Sequence, residues 1–201
     1  MIAIILAAGL GTRLKPLTLY RPKPLINYRN NTLLGHQIEK LLASGVSKIY
    51  INTAHDQLIP ASIKSAYPRA PIIFFREPYL APYGTVNSLY KIIAHFGIKE
   101  PFILLSADIY TTYEYDKIQI SAGYDGLALL TAENDNPDFG IENGQLTKKG
   151  MLAYANMGIY QPKVFNSPTT EFRSSLLEHK IEARQIYSPW KNVGDFKTII
   201  Q

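Results

Sequence analysis

The sequence predicts an α/β fold: a mixed, mainly parallel sheet flanked by helices, with a small antiparallel lobe. Three observations carry this expectation. Four short, apolar, β-branched runs occur at 2–6, 48–52, 72–75 and 102–105. Between them lie segments whose apolar residues recur at helical spacing, and such β-loop-α alternation argues for parallel strands with helices on both faces. After residue 126 the pattern changes to short strands and a hairpin. A chain of 201 residues fits one domain with a sizeable core, divided as a first half over 1–110 and a second over 111–201.

Taken in order, Ile2 to Leu6 reads as a buried strand. Leu33 to Ser44 carries Leu33, Leu34, Ile38, Leu41 and Leu42 on one helical face, and Gly45 supplies the stop. Lys48 to Asn52 is a second strand, Asp56 to Tyr67 a helix ended by Pro68, and Ile72 to Phe75 a third strand. A helix follows over Gly84 to Phe96, then a fourth strand over Phe102 to Leu105, with Asp108 just beyond it. In the second half, Gly126 to Thr131 is a strand. Phe139 to Thr147 is a hairpin turning at Asn143-Gly144. Asn156 to Gln161 is strand-like, Thr170 to His179 a helix capped by Thr169 or Thr170, and Ala183 to Tyr187 a short strand. Asp195 begins a terminal helix. In parallel sheets ligands sit beyond the carboxyl ends of the strands, which gathers the 7–11 loop, Asn52, Glu77 and Asp108 at one rim.

Composition narrows the chemistry. There are no cysteines, which leaves no disulfide and no thiolate metal site and is compatible with a cytoplasmic protein. No apolar run reaches membrane-spanning length, and the first strand follows Met1 without a targeting leader, so no membrane association is expected. The net charge of +5 suggests a polyanionic partner. The cations are spread along the chain, with the densest group beside the glycine loop. A small polyanion fits that placement better than nucleic acid does.

The stretch Leu6 to Leu25, LAAGLGTRLKPLTLYRPKPL, combines three useful properties. Ala7, Ala8, Gly9 and Gly11 leave the backbone bare, so its N–H groups can form a nest for phosphate oxygens. Arg13, Lys15, Arg21 and Lys23 supply charge, and an arginine can fork onto a phosphate. Pro16, Pro22 and Pro24 stiffen the segment. The loop lacks the third glycine of the dinucleotide fingerprint, and no GxxxxGK[ST] occurs. Glycine spacing alone is also that of a basic solvated loop.

The full string LAAGxGTRLxPLT, followed by PKPL, resembles the signature of the nucleotidyltransferases that make NDP-sugars from a nucleoside triphosphate and a sugar 1-phosphate. The resemblance implies a Rossmann-like, GT-A-like fold with the antiparallel lobe on the sugar side. It implies that Leu6, Ala7, Ala8, Gly9, Gly11 and Thr12 wrap the triphosphate, that Arg13 holds the departing pyrophosphate, and that Lys23 sits on the phosphate being transferred. Ser106-Ala107-Asp108 stands at the family's GD motif, which makes Asp108 a Mg²⁺ ligand; by position alone it is equally a strand-ending aspartate.

Trp190-Lys191-Asn192-Val193-Gly194 resembles the late WxDVG motif, with Asn192 in place of the second metal-binding aspartate. An amide carbonyl still offers oxygen to a hard cation, at lower charge and so lower expected affinity. Gly84 and Thr85 match the segment that lines base and ribose. Asn156 and Gly158 match the NxGIY strand that contacts the sugar, although a glycine there can equally mark a bulge. Glu142 reads as a solvated hairpin residue.

The compact length is similar to that of N-acetylmuramate 1-phosphate uridylyltransferases and short hexose 1-phosphate guanylyltransferases. The segment ending at His55 also resembles the former. The resulting expectation is Mg²⁺-dependent transfer of NMP, with UTP favoured, to a sugar 1-phosphate in cell-wall or related nucleotide-sugar biosynthesis. A phosphocholine-type cytidylyltransferase and a weakly active nucleotide-binding homologue are the alternatives.

Overall fold

The structure, a computed structural model, describes residues 1–54, 58–78, 82–133, 137–168, 170–194 and 198–199. The expectations placed on His55, on Asp56 as a helix start, on Thr169 as a cap and on Asp195 lie outside these residues.

In chain order, β1 (Ile2–Leu6) leads into a loop, a short helix α1 (Leu17–Tyr20) and a small ribbon of β2 (Asn27–Tyr28) and β3 (Asn31–Thr32). Helix α2 (Leu33–Ala43) starts where the Thr32 hydroxyl accepts the Gly35 N–H at 2.9 Å, an N-cap bond. Then follow β4 (Lys48–Thr53), α3 (Leu58–Ala66), β5 (Ile72–Arg76), α4 (Thr85–Phe96), β6 (Phe102–Ser106) and β7 (Ile109–Thr111). The second half holds β8 (Gly126–Thr131), β9 (Phe139–Glu142), β10 (Gln145–Tyr160), α5 (Phe172–Leu177), β11 (Ile181–Gln185) and β12 (Trp190–Asn192).

Among the described residues these strands form one sheet in the order β11-β8-β10-β6-β1-β4-β5, with β9 on β10. Strands β6, β1, β4 and β5 run parallel, and β10 enters antiparallel between β6 and β8. The antiparallel part is therefore continuous with the parallel part. Two small antiparallel pairs, β2-β3 and β7-β12, lie apart from it.

Side-chain alternation along the strands builds two cores, one on each face. Ala3, Ile5, Ile49, Ile51, Ile103 and Leu105 point to one, where Leu34, Ile38 and Leu41 of α2 and Ile59 and Ile63 of α3 meet them. Ile2, Ile4, Tyr50, Phe102 and Leu104 point to the other, covered by Val86, Leu89 and Ile92 of α4 and Leu176 of α5. Both faces of the inner strands are buried, which is why the strands read as unbroken apolar runs.

Three expectations need correction. The hairpin's second arm and the strand at 156–161 are a single sixteen-residue strand, β10, whose register slips twice. Polar residues 147–149 and then Gly150 hide its continuity in the sequence. Strand β11 begins at Ile181, two residues earlier than expected, because Ile181 pairs with Gly126 at the start of β8. Helix α5 starts after Glu171, with no side-chain cap bond, so Thr170 does not cap it.

Candidate active site

The carboxyl ends of the parallel strands converge. Leu6 stands in register with Asn52 on one side and Ser106 on the other, and Thr53 with Arg76. The loop leaving β1 turns over this rim. Its two glycines do different work. Gly9 is exposed, and a side chain there would meet nothing within 4 Å, so there is room for another molecule to approach the chain at this point. Gly11 has φ +62°, and a Cβ would fall 2.9 Å from Thr18 Cγ2 and 3.1 Å from Lys23 Cβ. That turn needs glycine twice over. The Thr18 hydroxyl closes the loop by donating to the Gly11 carbonyl at 2.9 Å.

Pro22 precedes and Pro24 lies within a one-turn 3₁₀ helix, Lys23–Leu25, whose residues are all buried. It carries the Lys23 ammonium to Asp108 Oδ2 at 2.6 Å. The other carboxylate oxygen accepts the Ser106 hydroxyl, also at 2.6 Å. Two residues 85 apart in sequence are thereby joined at the rim. The ion pair is part-buried, so its partners are screened less than a surface pair would be.

Strand β12 pairs with β7, opposing Asn192 to Ile109, and the Val193 N–H donates to the Asp108 carbonyl at 2.8 Å. Asn192 is thus a neighbour of Asp108 across the ribbon. Its Oδ1 is buried and accepts no hydrogen bond among the described residues. A Cβ at residue 194 would come within 3.3 Å of Arg13 Nη2 and 3.4 Å of that same Oδ1. Glycine at 194 therefore admits Arg13 and Asn192 to one spot.

A carboxylate beside an unpartnered amide oxygen is a hard-oxygen donor set of the kind Mg²⁺ takes, since Mg²⁺ keeps several waters and needs few protein ligands. No group of three or more His, Cys, Asp or Glu that could hold a metal occurs among the described residues. Asp108 and Asn192 could hold such an ion.

The opposite wall comes from β10. Between Tyr154 and Gly158 that strand takes four steps while β8 takes two, a bulge. Asn156 sits within it at φ +56°, a conformation asparagine tolerates better than most residues. The bulge interrupts the ladder, and the Trp190 indole N–H takes up the Ala155 carbonyl at 2.8 Å. Tyr154 and Phe172 pack with ring centroids 5.1 Å apart, and the Tyr160 and Tyr154 hydroxyls are hydrogen bonded at 3.1 Å. Burial pushes both phenols well above their ordinary range, so this wall stays neutral at working pH.

These walls enclose a cavity of about 390 Å³, in the range of small-molecule sites. Of the residues expected from the sequence, Leu6, Ala7, Ala8, Gly9, Lys23, Gly84, Thr85, Asp108 and Asn156 line it. Gly11, Thr12, Arg13 and Asn192 stand outside the lining. Gly158 does not face the cavity. A Cβ there would meet the Leu127 carbonyl at 2.4 Å and the Tyr160 hydroxyl at 2.5 Å. Its missing side chain makes room for Tyr160, and the bulge falls before it.

The cavity also includes Asn52 and Glu77, 2% and 3% exposed, which sequence reasoning left without a role. The only signal was their position just past apolar strands.

The sequence model of a family described as nucleotidyl transferase matches residues 2–188. The mannose-1-phosphate guanylyltransferase catalytic subunit beta of Dictyostelium discoideum is 27% identical, covering 100% of this chain. This chain spans 63% of that protein's length. Among solved structures, HddC from Yersinia pseudotuberculosis complexed with GMP-PN superposes with TM-score 0.78 at 22% identity, covering 99% of this chain and 96% of that one. The inositol-1-phosphate CTP transferase from T. maritima gives TM-score 0.80 at 15% identity, covering 98% of this chain and 90% of that one.

Proposed function

The chain belongs to the nucleotidyl transferase family, and from that premise we propose that its cavity binds a nucleoside triphosphate and a sugar 1-phosphate and joins them. The observation that carries this reading is the Lys23–Asp108 pair at 2.6 Å, set in the wall of the cavity that exposed Gly9 also lines. A cation and a potential metal ligand meet there at the edge of a bare loop, which is what a triphosphate needs.

In the reaction a phosphate oxygen of the sugar 1-phosphate attacks the α-phosphorus. The bond to the bridging oxygen breaks, and pyrophosphate leaves with the electron pair. The attacking phosphate is already ionised near neutral pH, so no general base is required, and the chemistry is mainly positioning and charge neutralisation. Lys23 shifts its ammonium from Asp108 to the transferring phosphate. Arg13, exposed at the rim, takes the departing pyrophosphate. Asp108 and Asn192 would hold Mg²⁺, which supplies further neutralisation of phosphate oxygens. Asn156 offers its amide to sugar hydroxyls beside the neutral Tyr154–Phe172 wall.

UTP is the first donor to try, because the sequence favours it by resemblance to the short uridylyltransferases. The names of the similar proteins include guanylyl and CTP enzymes, so the donor is tested rather than assumed. The test is pyrophosphate release with four nucleoside triphosphates crossed with hexose 1-phosphates, N-acetylmuramate 1-phosphate and phosphocholine, with Mg²⁺. Release with one sugar phosphate supports the proposal. Release with phosphocholine alone favours a cytidylyltransferase, and nucleotide binding without turnover favours a binding protein.

A further inference from the structure

Asn52 and Glu77 are buried polar side chains at the ends of β4 and β5, and their hydrogen bonds form one continuous chain. The Ala7 N–H donates to Asn52 Oδ1 at 2.6 Å. Asn52 Nδ2 donates to Glu77 Oε1 at 2.7 Å. Glu77 Oε2 accepts the Tyr83 N–H at 3.0 Å. The Glu77 N–H is itself fixed on the Thr53 carbonyl at 2.8 Å.

These partners dictate the Asn52 amide orientation, because an N–H must face its oxygen and a carboxylate its NH₂. The chain crosses three adjacent strands. It ties the loop after β1 to the segment that enters α4 at Gly84. Ala7, at one end, and Gly84, next to Tyr83 at the other, both line the cavity.

We infer that Asn52 and Glu77 are positioning residues for the nucleotide, a relay that holds the Ala7–Gly9 and Tyr83–Thr85 walls at a fixed separation. This rests on the reading of the cavity as a triphosphate site. The Ala7 N–H is thereby committed inward and is not a phosphate donor.

The relay has a signature that mere burial lacks: it survives exchange of its two ends. In N52D/E77Q, the carboxylate now at position 52 would accept the Ala7 N–H and an N–H of the amide now at position 77. The oxygen of that amide would accept the Tyr83 N–H. All three bonds remain. Either single change breaks one. E77Q sets two donors against each other, and N52D sets two carboxylates against each other, a contact kept only at the cost of charge repulsion or of taking up a proton. A buried polar group left unsatisfied weakens whatever it positions.

The experiment measures Kd for each of the four Mg·NTPs, KM for the sugar 1-phosphate, and Tm, on wild type, E77Q, N52D and N52D/E77Q. The expected result is that each single variant weakens nucleotide binding about tenfold or more with acceptor KM little changed, and that the exchange restores wild-type affinity. Single variants that bind normally would overturn the inference. So would single variants whose two constants move together with Tm, or an exchange that fails to restore binding. An E77Q protein that binds a different nucleotide, unrestored by exchange, would also overturn it, because Glu77 would then touch the base itself. Should a single variant fail to fold, the exchange decides: binding like wild type supports the relay, and an exchanged protein that fails to bind or to fold overturns it. A wild type that binds no nucleotide overturns the parent reading and this one with it, a result distinct from failure of the exchange alone.

Discussion

At Asp108 both carboxylate oxygens are engaged, one by Lys23 and one by Ser106. A triphosphate that drew Lys23 onto itself would free one of these oxygens, and Asp108 would then be able to hold a cation that neutralises phosphate charge. Asp108→Ala and Arg13→Ala should therefore each reduce turnover by well over tenfold, more than about 1.4 kcal/mol of transition-state stabilisation. Steady-state pyrophosphate release measures this, and near-normal rates in both variants would remove the assignment. Asn192 is the residue where the chain departs from the aspartate its motif leads one to expect. Its buried Oδ1 has no hydrogen-bond partner among the described residues and would offer a cation an uncharged oxygen. Asn192→Asp should lower the Mg²⁺ concentration for half-maximal rate, read from a Mg²⁺ titration; an unchanged value would mean that residue 192 does not contact the metal.

At the scale of elements, the pairing of β7 with β12 and the bulge in β10 decide the shape of the site. They meet at Trp190, which ends one and satisfies the carbonyl that the other leaves open. Trp190→Phe keeps most of the ring but orphans the buried Ala155 carbonyl. A loss of about 1–3 kcal/mol in stability is expected, with a raised KM for the sugar 1-phosphate because Asn156 follows directly. Urea unfolding and acceptor titration check the two effects, and loss of stability without a change in KM would separate the bulge from the acceptor site. These were the elements hardest to read in the sequence. Strands of three residues such as Ile109–Thr111 and Trp190–Asn192 have no periodicity to detect; each is a strand only because the other lies beside it. β10 was fragmented by its own polar stretch. By contrast β1, β4, β5 and β6 were plain, because strands buried on both faces leave unbroken apolar runs.

The whole molecule is a sheet between two cores, and the candidate residues that line the cavity gather at one rim of it. That much followed from strand order and from the rule that ligands gather at carboxyl ends. The glycine loop, Lys23, Asp108 and Asn156 were legible as residue types in recognisable strings. The Asn52–Glu77 relay was not, since an asparagine or glutamate past a strand looks the same whether it ends a turn or bridges two loops. Gly158 misled for a related reason: a glycine next to a ligand strand and a glycine under a tyrosine ring are spelled alike.

The central claim is that a triphosphate tail lies on the bare loop with the cation at the rim. The most direct measurement is a crystal structure with a non-hydrolysable nucleoside triphosphate and Mg²⁺. The account predicts the tail against residues 7–13, Lys23 on the α-phosphate and released from Asp108, and the ion on Asp108 with the Asn192 oxygen turned toward it. A tail bound elsewhere, or Asp108 still paired with Lys23 and facing away from the ion, would contradict it.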